Sequence, residues 1–327
     1  MAAPSDGSRR LAITGASGLI GRALCRAARD RGWTPVALAR TDAGAAPEGT
    51  LTRVVGDLGS ASAEALAAAL ADCDALVHLA GHAAPGRTRA GEALWRVNVS
   101  ASETLAQAAA DAGVARIVFV SSAKVFGHAS HGPPLTAESA PAPADLYAES
   151  KLAAERAVWQ AAQATGIEAC VVRPPLVCGA GAKGNLARLA RAIRAGVPLP
   201  FGSLRNRRTL VEVHDLADLL VRCAEVPGAA GRTLLAGDPE ALSTAEIARA
   251  VAGGLGRRVR LVPVPAAALA LAGRPLGLRS TIAQLTGSLE LDVGDAQALL
   301  GWSPVRGARR GLADLGAAAA RATSRSR

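Results

Sequence analysis

At 327 residues, half of them apolar, the chain is long enough for two domains or one large α/β unit with an appendage. It holds no apolar run of the roughly 18 residues that a membrane span needs. A net charge of +10 would suit nucleic acid, but arginines are spread along the whole chain and aromatics are only 2%, too few for base stacking. A small anionic ligand is the expected partner. Five scattered cysteines show no metal spacing and read as core residues of a reduced, cytoplasmic protein without a metal site. The start, M-A-A-P-S-D-G-S-R-R, lacks the apolar stretch of a signal peptide.

Arg10 to Thr14 reads as a short buried strand that breaks into G-A-S-G-L-I-G and then a helical run to about Arg31. Strand, glycine turn and helix together give the glycines a meaning. Gly15 makes the turn, Gly18 lets backbone approach a pyrophosphate, and Gly21 lets helix and strand pack closely. The helix N-terminus then faces the anion. A second strand, Pro35 to Ala39, delivers Arg40, with no carboxylate before Asp42. An acidic residue there would bind the 2′-hydroxyl of NAD, whereas a guanidinium suits the 2′-phosphate of NADP. NADP is therefore expected, with NAD as the alternative.

The alternation continues with a strand near Leu51–Val55, a helix Ala61–Leu70, a strand Ala75–Leu79, a helix Glu92–Ala112 and a strand Arg116–Ser121. A helix Tyr147–Thr165 and a strand Glu168–Arg173 follow. Strands that alternate with helices and are apolar on both faces form a parallel sheet, so the fold class is α/β, a Rossmann-like doubly wound sheet. Ligands bind at the carboxyl ends of such strands. Those ends hold Gly15, Asp57-Leu58, Ala80-Gly81, Ser121-Ser122 and Arg173-Pro174-Pro175. His78 ends a buried strand and reads as a satisfied core histidine. From Phe126 to Tyr147 the chain is rich in Pro and Gly and reads as a loop on a substrate rim, with His128 and His131 as exposed polar residues.

Beyond Arg173 the pattern loosens. A helix is expected around Asn185–Ala195, then R-N-R-R (205–208), which is either a solvated turn or a diphosphate clamp. A strand, the H-D-L-A-D helix start, a strand Arg232–Leu235, a helix from Ser243 and L-G-W-S-P complete a smaller C-terminal lobe. The expected division is a dinucleotide-binding domain of residues 10–173, its sheet completed by parts of 209–236. A substrate lobe would take 174–208 and 237–320, and 321–327 would be a frayed tail.

Tyr147 is the only tyrosine, and Lys151 is one of three lysines. Residues four apart share a helix face, so phenol and ammonium lean over one spot. A free phenol titrates near ~10. An ammonium within a few ångström favours the phenolate, which would bring the group towards the range useful to a general acid or base. The plainer reading is a surface ion-and-phenol pair with no role.

These elements, taken with G-D-L, H-L-A-G, V-N-V, S-S-A-K-V-F-G, Y-A-E-S-K and R-P-P-L-V-C-G-A-G, resemble the extended short-chain dehydrogenase/reductase family, notably its nucleotide-sugar branch. The likeness runs over roughly residues 10–305. It implies that Ser122 hydrogen-bonds the reacting oxygen, Tyr147 moves its proton, and Lys151 lowers the phenol's pKa and holds the nicotinamide ribose. Asp57 would touch the adenine and Arg208 the sugar-nucleotide pyrophosphate. Further cofactor contacts implied by the resemblance are Ser17, Leu19, Ile20, Leu58, Leu79, Ala80, Gly81, Asn98, Pro174 and Val177. Lys124 and Asn185 would join Ser122 and Arg208 at the substrate, and the family also allows a homodimer.

Departures from the family pattern narrow the reading. Dehydratases carry an Asp-Glu pair after the serine, where this chain has Ala123-Lys124. UDP-glucose 4-epimerases end the second strand on an aspartate, here Ala39-Arg40, and have an asparagine in place of Leu176. The pieces R-P-P-L-V, K-G-N and R-N-R-R look most like bacterial reductases of UDP-4-keto sugars. A UDP-sugar 4-epimerase is the alternative. A non-catalytic dinucleotide sensor is the third reading, disfavoured by the tyrosine–lysine pair.

Overall fold

The computed structural model describes residues 8–41, 46–82, 88–130, 132–273 and 279–324. The chain opens with β1 (Arg10–Thr14), α1 (Leu19–Asp30), β2 (Thr34–Ala39), β3 (Leu51–Val54), α2 (Ala63–Leu70) and β4 (Ala75–His78). Next come α3 (Thr88–Trp95), α4 (Ala101–Asp111), β5 (Arg116–Val120), α5 (Leu146–Thr165) and β6 (Glu168–Arg173). The later elements are β7 (Leu176–Cys178), α6 (Asn185–Arg194), β8 (Leu210–Glu212), α7 (Val213–Glu225) and β9 (Arg232–Leu235). After them stand α8 (Thr244–Gly254), α9 (Ala266–Gly273), α10 (Arg279–Thr286), α11 (Gly294–Leu300) and α12 (Ala308–Ser324).

Two compact units divide these elements. The first comprises residues 1–122, 145–173 and 217–234, and the second 123–144, 174–216 and 235–327. In the first, seven strands run in the order β3-β2-β1-β4-β5-β6-β9. The pairs from β3 through to β6 are all parallel. The order reverses between β1 and β4, which opens the crevice where such sheets bind ligands. The central strands are buried along their whole length, as a parallel sheet covered on both faces requires. One face packs Leu38, Leu76, Ile117, Phe119 and Val171 against Leu66, Leu105 and Val158 of α2, α4 and α5. The alanines of α4 and α5 keep those helices close to the sheet without large side chains.

The expected helix Glu92–Ala112 is interrupted. It starts earlier, at Thr88, and a π-turn at Arg96–Ser100 separates α3 from α4. Apolar periodicity runs straight through this stretch, so the sequence pattern hides the break. At the turn Asn98 is buried, and the Ser102 hydroxyl donates to its carbonyl at 2.6 Å. Such bulges concentrate at functional positions.

In the second unit, β7 and β8 form a separate two-stranded parallel sheet. Within 209–236, residues 210–212 pair with β7 and β9 is the part that joins the large sheet. The loop 123–144 belongs to this unit, tied down where Leu135 bridges Leu291 and Ala142 donates to Val125 O at 2.9 Å. Asp215 caps the turn after buried Trp302, accepting from the backbone of Val305, Arg306 and Gly307 at 3.0, 3.1 and 2.9 Å. The helix α12 crosses α8 at glycines: a Cβ on Gly254 would collide with Ala313 O, and one on Gly316 with Val251 O. Residues 321–324 continue α12 rather than fray, while 325–327, His131 and Asp42 lie outside the described residues. No helix among the described residues is long and apolar enough to cross a membrane.

Candidate active site

A cleft of about 910 Å³ opens in the first unit, lined by Gly15, Ser17, Gly18, Arg40, Asp57, Leu58, Leu79, Ala80 and Gly81 among others. Gly15 adopts φ +71°, a left-handed turn that admits glycine most readily, and an added Cβ would stand 3.2 Å from Ala80 N. Gly21 is needed for a different closeness from the one expected. Its missing Cβ would meet the Gly15 carbonyl and lie 2.6 Å from Ala16 Cα, so it lets α1 pack on its own entry turn. Leu19, Ile20 and Gly21 form the first turn of α1, beginning right after Gly18. Asp57 holds its own loop by accepting from Gly59 N at 2.9 Å, and its carboxylate remains exposed.

His78 is the fully buried core histidine expected, and its hydrogen bonds have one consistent polarity. Ser102 has a single proton, donated to Asn98 O, so its oxygen accepts from His78 Nε2–H at 2.9 Å. Burial pushes His78 down to about 3, keeping the ring neutral, so Nδ1 accepts from the Thr14 hydroxyl at 2.7 Å. Thr14 in turn accepts from the backbone N–H of Leu79 and Ala80, at 3.1 and 3.0 Å. This chain of bonds fixes the cleft wall. Asn98 extends it: Oδ1 accepts from His82 N at 2.7 Å, and Nδ2 donates to His82 O and Ser150 Oγ at 3.0 and 2.9 Å. Ser150 then donates to Tyr147 O at 2.8 Å. Asn98 was expected to touch the cofactor; in the structure both of its amide hydrogens are bonded within the chain, to His82 O and Ser150 Oγ.

That helix is built to present Tyr147 and Lys151. Asp145 caps it, accepting from Ala148 N at 2.8 Å, and Gly166 ends it at φ +80°. The Tyr147 phenol hydrogen-bonds with Ser122. Lys151 is buried, its ammonium 4.4 Å above the Phe119 ring and 3.6 Å from where a Cβ on Gly81 would stand. Burial lowers the Lys151 pKa to about 8, and the nearby Glu155 carboxylate opposes the shift. One expectation fails here. The phenol is pushed up, not down: burial dominates, the Ser122 hydrogen bond counters it, and the Asp145 charge adds to it.

Pro174, Val177, Lys124, Asn185 and Arg208 all fall in the second unit. Pro174 is buried, Val177 sits half-buried in β7, and Leu176 is exposed. Lys124 lies on a short 3-10 turn, and Asn185 is the exposed first residue of α6. The R-N-R-R run does not act as a four-membered clamp. Asn206 is buried and donates to Thr244 Oγ1 and Gly287 O at 3.1 and 3.0 Å. Arg207 forms a two-pronged pair with Glu290 at 2.7 and 2.6 Å. Arg208 is half-buried, and burial lowers its pKa. Its guanidinium donates to Gly287 O at 2.9 Å, and among the described residues no carboxylate pairs with it.

The sequence profile of the NAD dependent epimerase/dehydratase family matches residues 11–237. The chain belongs to that family. A UDP-glucose 4-epimerase of Vibrio cholerae is 38% identical over 218 residues, 66% of each chain, so the match spans just under two thirds of that relative's length. A ceramide reductase of Caulobacter vibrioides is 32% identical over 308 residues, 92% of this chain and 87% of that one. The solved structure of MoeE5 in complex with UDP-glucuronic acid and NAD is 27% identical with a TM-score of 0.74, over 97% of this chain and 100% of the other. A UDP-N-acetylglucosamine 4-epimerase from Bacillus cereus, 20% identical, shares the fold at a TM-score of 0.77, over 96% of this chain and 100% of the other.

In this epimerase/dehydratase chain, the cleft residues that sequence reasoning passed over are Thr41, Ala46–Thr50, Thr52, Gly56, His82 and Val97. Glu48 matters most among them, because it puts a carboxylate on the same cleft as Arg40. The available signal was an acidic residue between β2 and β3, which a search stopping at the end of β2 does not reach.

Proposed function

We propose that this chain is an NAD(P)-dependent oxidoreductase acting on a UDP-linked sugar, reducing a 4-ketone such as that of a 6-deoxy-hexosamine. The observation that carries the reading is the Tyr147–Ser122 hydrogen bond beside a buried Lys151, in the unit that also holds the dinucleotide-sized cleft. The cleft's residues fit a dinucleotide. Gly15 leaves backbone bare beside Ala80, α1 points its free first-turn N–H groups back towards the glycine turn where a pyrophosphate would lie, and Arg40 offers a guanidinium to a 2′-phosphate. NADP is the proposed form on that ground.

The cofactor, when bound, supplies a hydride for the carbonyl carbon. Tyr147 gives its phenolic proton to the carbonyl oxygen, so ketone, hydride and proton together make the alcohol. Ser122 donates a hydrogen bond to that oxygen, and the Lys151 ammonium binds the cofactor ribose. Arg208, a half-buried cation with only a carbonyl partner, supports an anionic substrate such as a nucleoside diphosphate sugar.

The second reading, a 4-epimerase, is favoured by the Vibrio relative. The ceramide reductase relative raises a third substrate class, a lipid ketone. The test supplies a UDP-4-keto-6-deoxy-hexosamine with NADPH, UDP-glucose and UDP-N-acetylglucosamine with NAD, and a long-chain 3-keto lipid with NADPH. Stoichiometric NADPH oxidation with the keto sugar is expected. Interconversion of intact sugars without net redox change would establish the epimerase instead, and turnover of the lipid ketone alone would remove nucleotide sugars.

A further inference from the structure

The cations of this chain are spread along its length, but its carboxylates are not. Residues 174–211 hold seven Lys and Arg, residues 247–289 hold six, and neither stretch contains a single Asp or Glu. Together they exceed the chain's net charge of +10, so the rest of the protein is net negative. Both stretches belong to the second unit, and the fold joins them. Leu199 bridges Leu261, Leu199 N donates to Arg260 O, and Val262 N donates to Leu199 O, both at 2.8 Å. Arg257 reaches across to Arg194 O at 3.0 Å, at the end of α6.

An exposed apolar strip runs from this junction. Val197 is 47% exposed and Val262 43%, on the two paired segments. From Leu261 to Gly273 the sequence L-V-P-V-P-A-A-A-L-A-L-A-G contains no polar side chain, and it enters α9, where Leu271 is 66% exposed. Helix α9 has no polar face at all. Directly before the strip stand the exposed Arg257, Arg258 and Arg260.

We propose that this face of the second unit docks on an anionic lipid surface, with α9 and Val262 entering the headgroup boundary and Arg257, Arg258 and Arg260 meeting lipid phosphates. Stable interfacial binding takes two signals, an apolar insertion and a basic patch, and both are contiguous here. A nucleic acid would use the arginines but find no aromatic to stack on and no use for exposed Val and Leu. A second copy would bring the same cations to a symmetric interface, where they repel. Only an anionic, partly apolar surface satisfies both features.

The experiment is vesicle co-sedimentation of the full chain. It compares vesicles of phosphatidylglycerol mixed with phosphatidylcholine against pure phosphatidylcholine, at low and high salt. At low salt about tenfold or more binding to the anionic vesicles is expected, shrinking as salt screens the arginines. The double variant Arg258→Glu/Arg260→Glu should lose the preference for anionic lipid. Leu271→Asp should lower binding at every salt concentration. A cooperative thermal melt close to the wild type's, with no second earlier transition, checks that both variants are folded. Equal or negligible binding of the wild type to the two vesicle types would overturn the proposal, as would folded variants that bind as the wild type does.

Discussion

Two arginines in different units have been taken out of water, and the chain has treated them oppositely. Arg173, at the end of β6, pairs with Glu155 of α5 at 3.0 and 2.7 Å, both side chains buried. Arg208, in the second unit, is half-buried with a carbonyl for a partner and no carboxylate among the described residues. The first is a charge answered from within the chain; the second keeps donors available for an anion from outside. The same contrast separates His78, Asn98, Asn206 and Asp215, whose bonds close within the protein, from Tyr147 and Arg40, to which the proposed function assigns the reaction and the cofactor phosphate. Changing a member of the first set should cost stability. Changing one of the second should cost function and leave the fold alone.

The largest effect belongs to the second set. Tyr147→Phe is expected to cut turnover by about 10²–10⁴-fold, the loss of a general acid, with dinucleotide affinity and melting temperature nearly unchanged. Turnover within a few-fold of wild type would take the phenol out of the mechanism. Glu155→Ala tests the first set. Leaving Arg173 buried and unpaired should destabilise the first unit by about 3–5 kcal/mol, read by urea denaturation. A loss under about 1 kcal/mol would mean that water reaches the guanidinium.

His78 gives the first set a pH signature. Its folded pKa of about 3 lies below the ordinary 6.5, so between those values the unfolded chain binds the extra proton. The stability from neutral His78 is complete above 6.5 and is lost as the pH falls towards 3. Melting temperature should therefore drop steadily with acid, and the component due to this ring should vanish in His78→Gln, although that variant starts weaker. An identical acid slope in the variant would assign the effect to other groups.

Smaller effects sharpen the contrast at the binding end. Arg208→Met should weaken UDP or UDP-sugar binding by roughly 1.5–3 kcal/mol, while thermal stability holds or rises because a half-buried charge is gone. A destabilised variant with unchanged UDP affinity would move Arg208 into the first set. Arg40→Ala should cost about tenfold in NADP affinity and little in NAD. If the preference for NADP persists in the variant, Arg40 is only surface charge; if the wild type prefers NAD instead, Glu48 rather than Arg40 governs the cofactor.

Much of the first unit was legible in the sequence. The strands β1, β6 and β9 fall residue for residue where short apolar runs bounded by breakers place them. Tyr147 and Lys151 stood out because each is a rare residue type at helical spacing, the glycine turn because it lies between a strand and a helix, and Ser122 only through the family resemblance. Effects that depend on depth were not legible. Whether Lys151 or burial governs the phenol is a question of solvent and distance, which spacing along a helix does not contain. The π-turn at Arg96–Ser100 leaves no mark on apolar periodicity, which runs through it unbroken. The three-residue β7 is too short for any pattern. In R-N-R-R, Asn206, Arg207 and Arg208 take different parts because their partners, Thr244, Gly287 and Glu290, come from distant parts of the chain.

The glycine contacts of α12 have a practical consequence for anyone shortening this protein. With Gly316 against Val251 O and Gly311 2.8 Å, as a Cβ, from Cys178 Sγ, α12 lies directly on the backbone of α8 and on β7. Cutting the chain ahead of Ala308 would uncover both elements at once and leave two narrow troughs that only a bare backbone fits. Expression trimming should therefore stop short of this helix, and a residue as small as alanine at position 316 would already wedge the two helices apart.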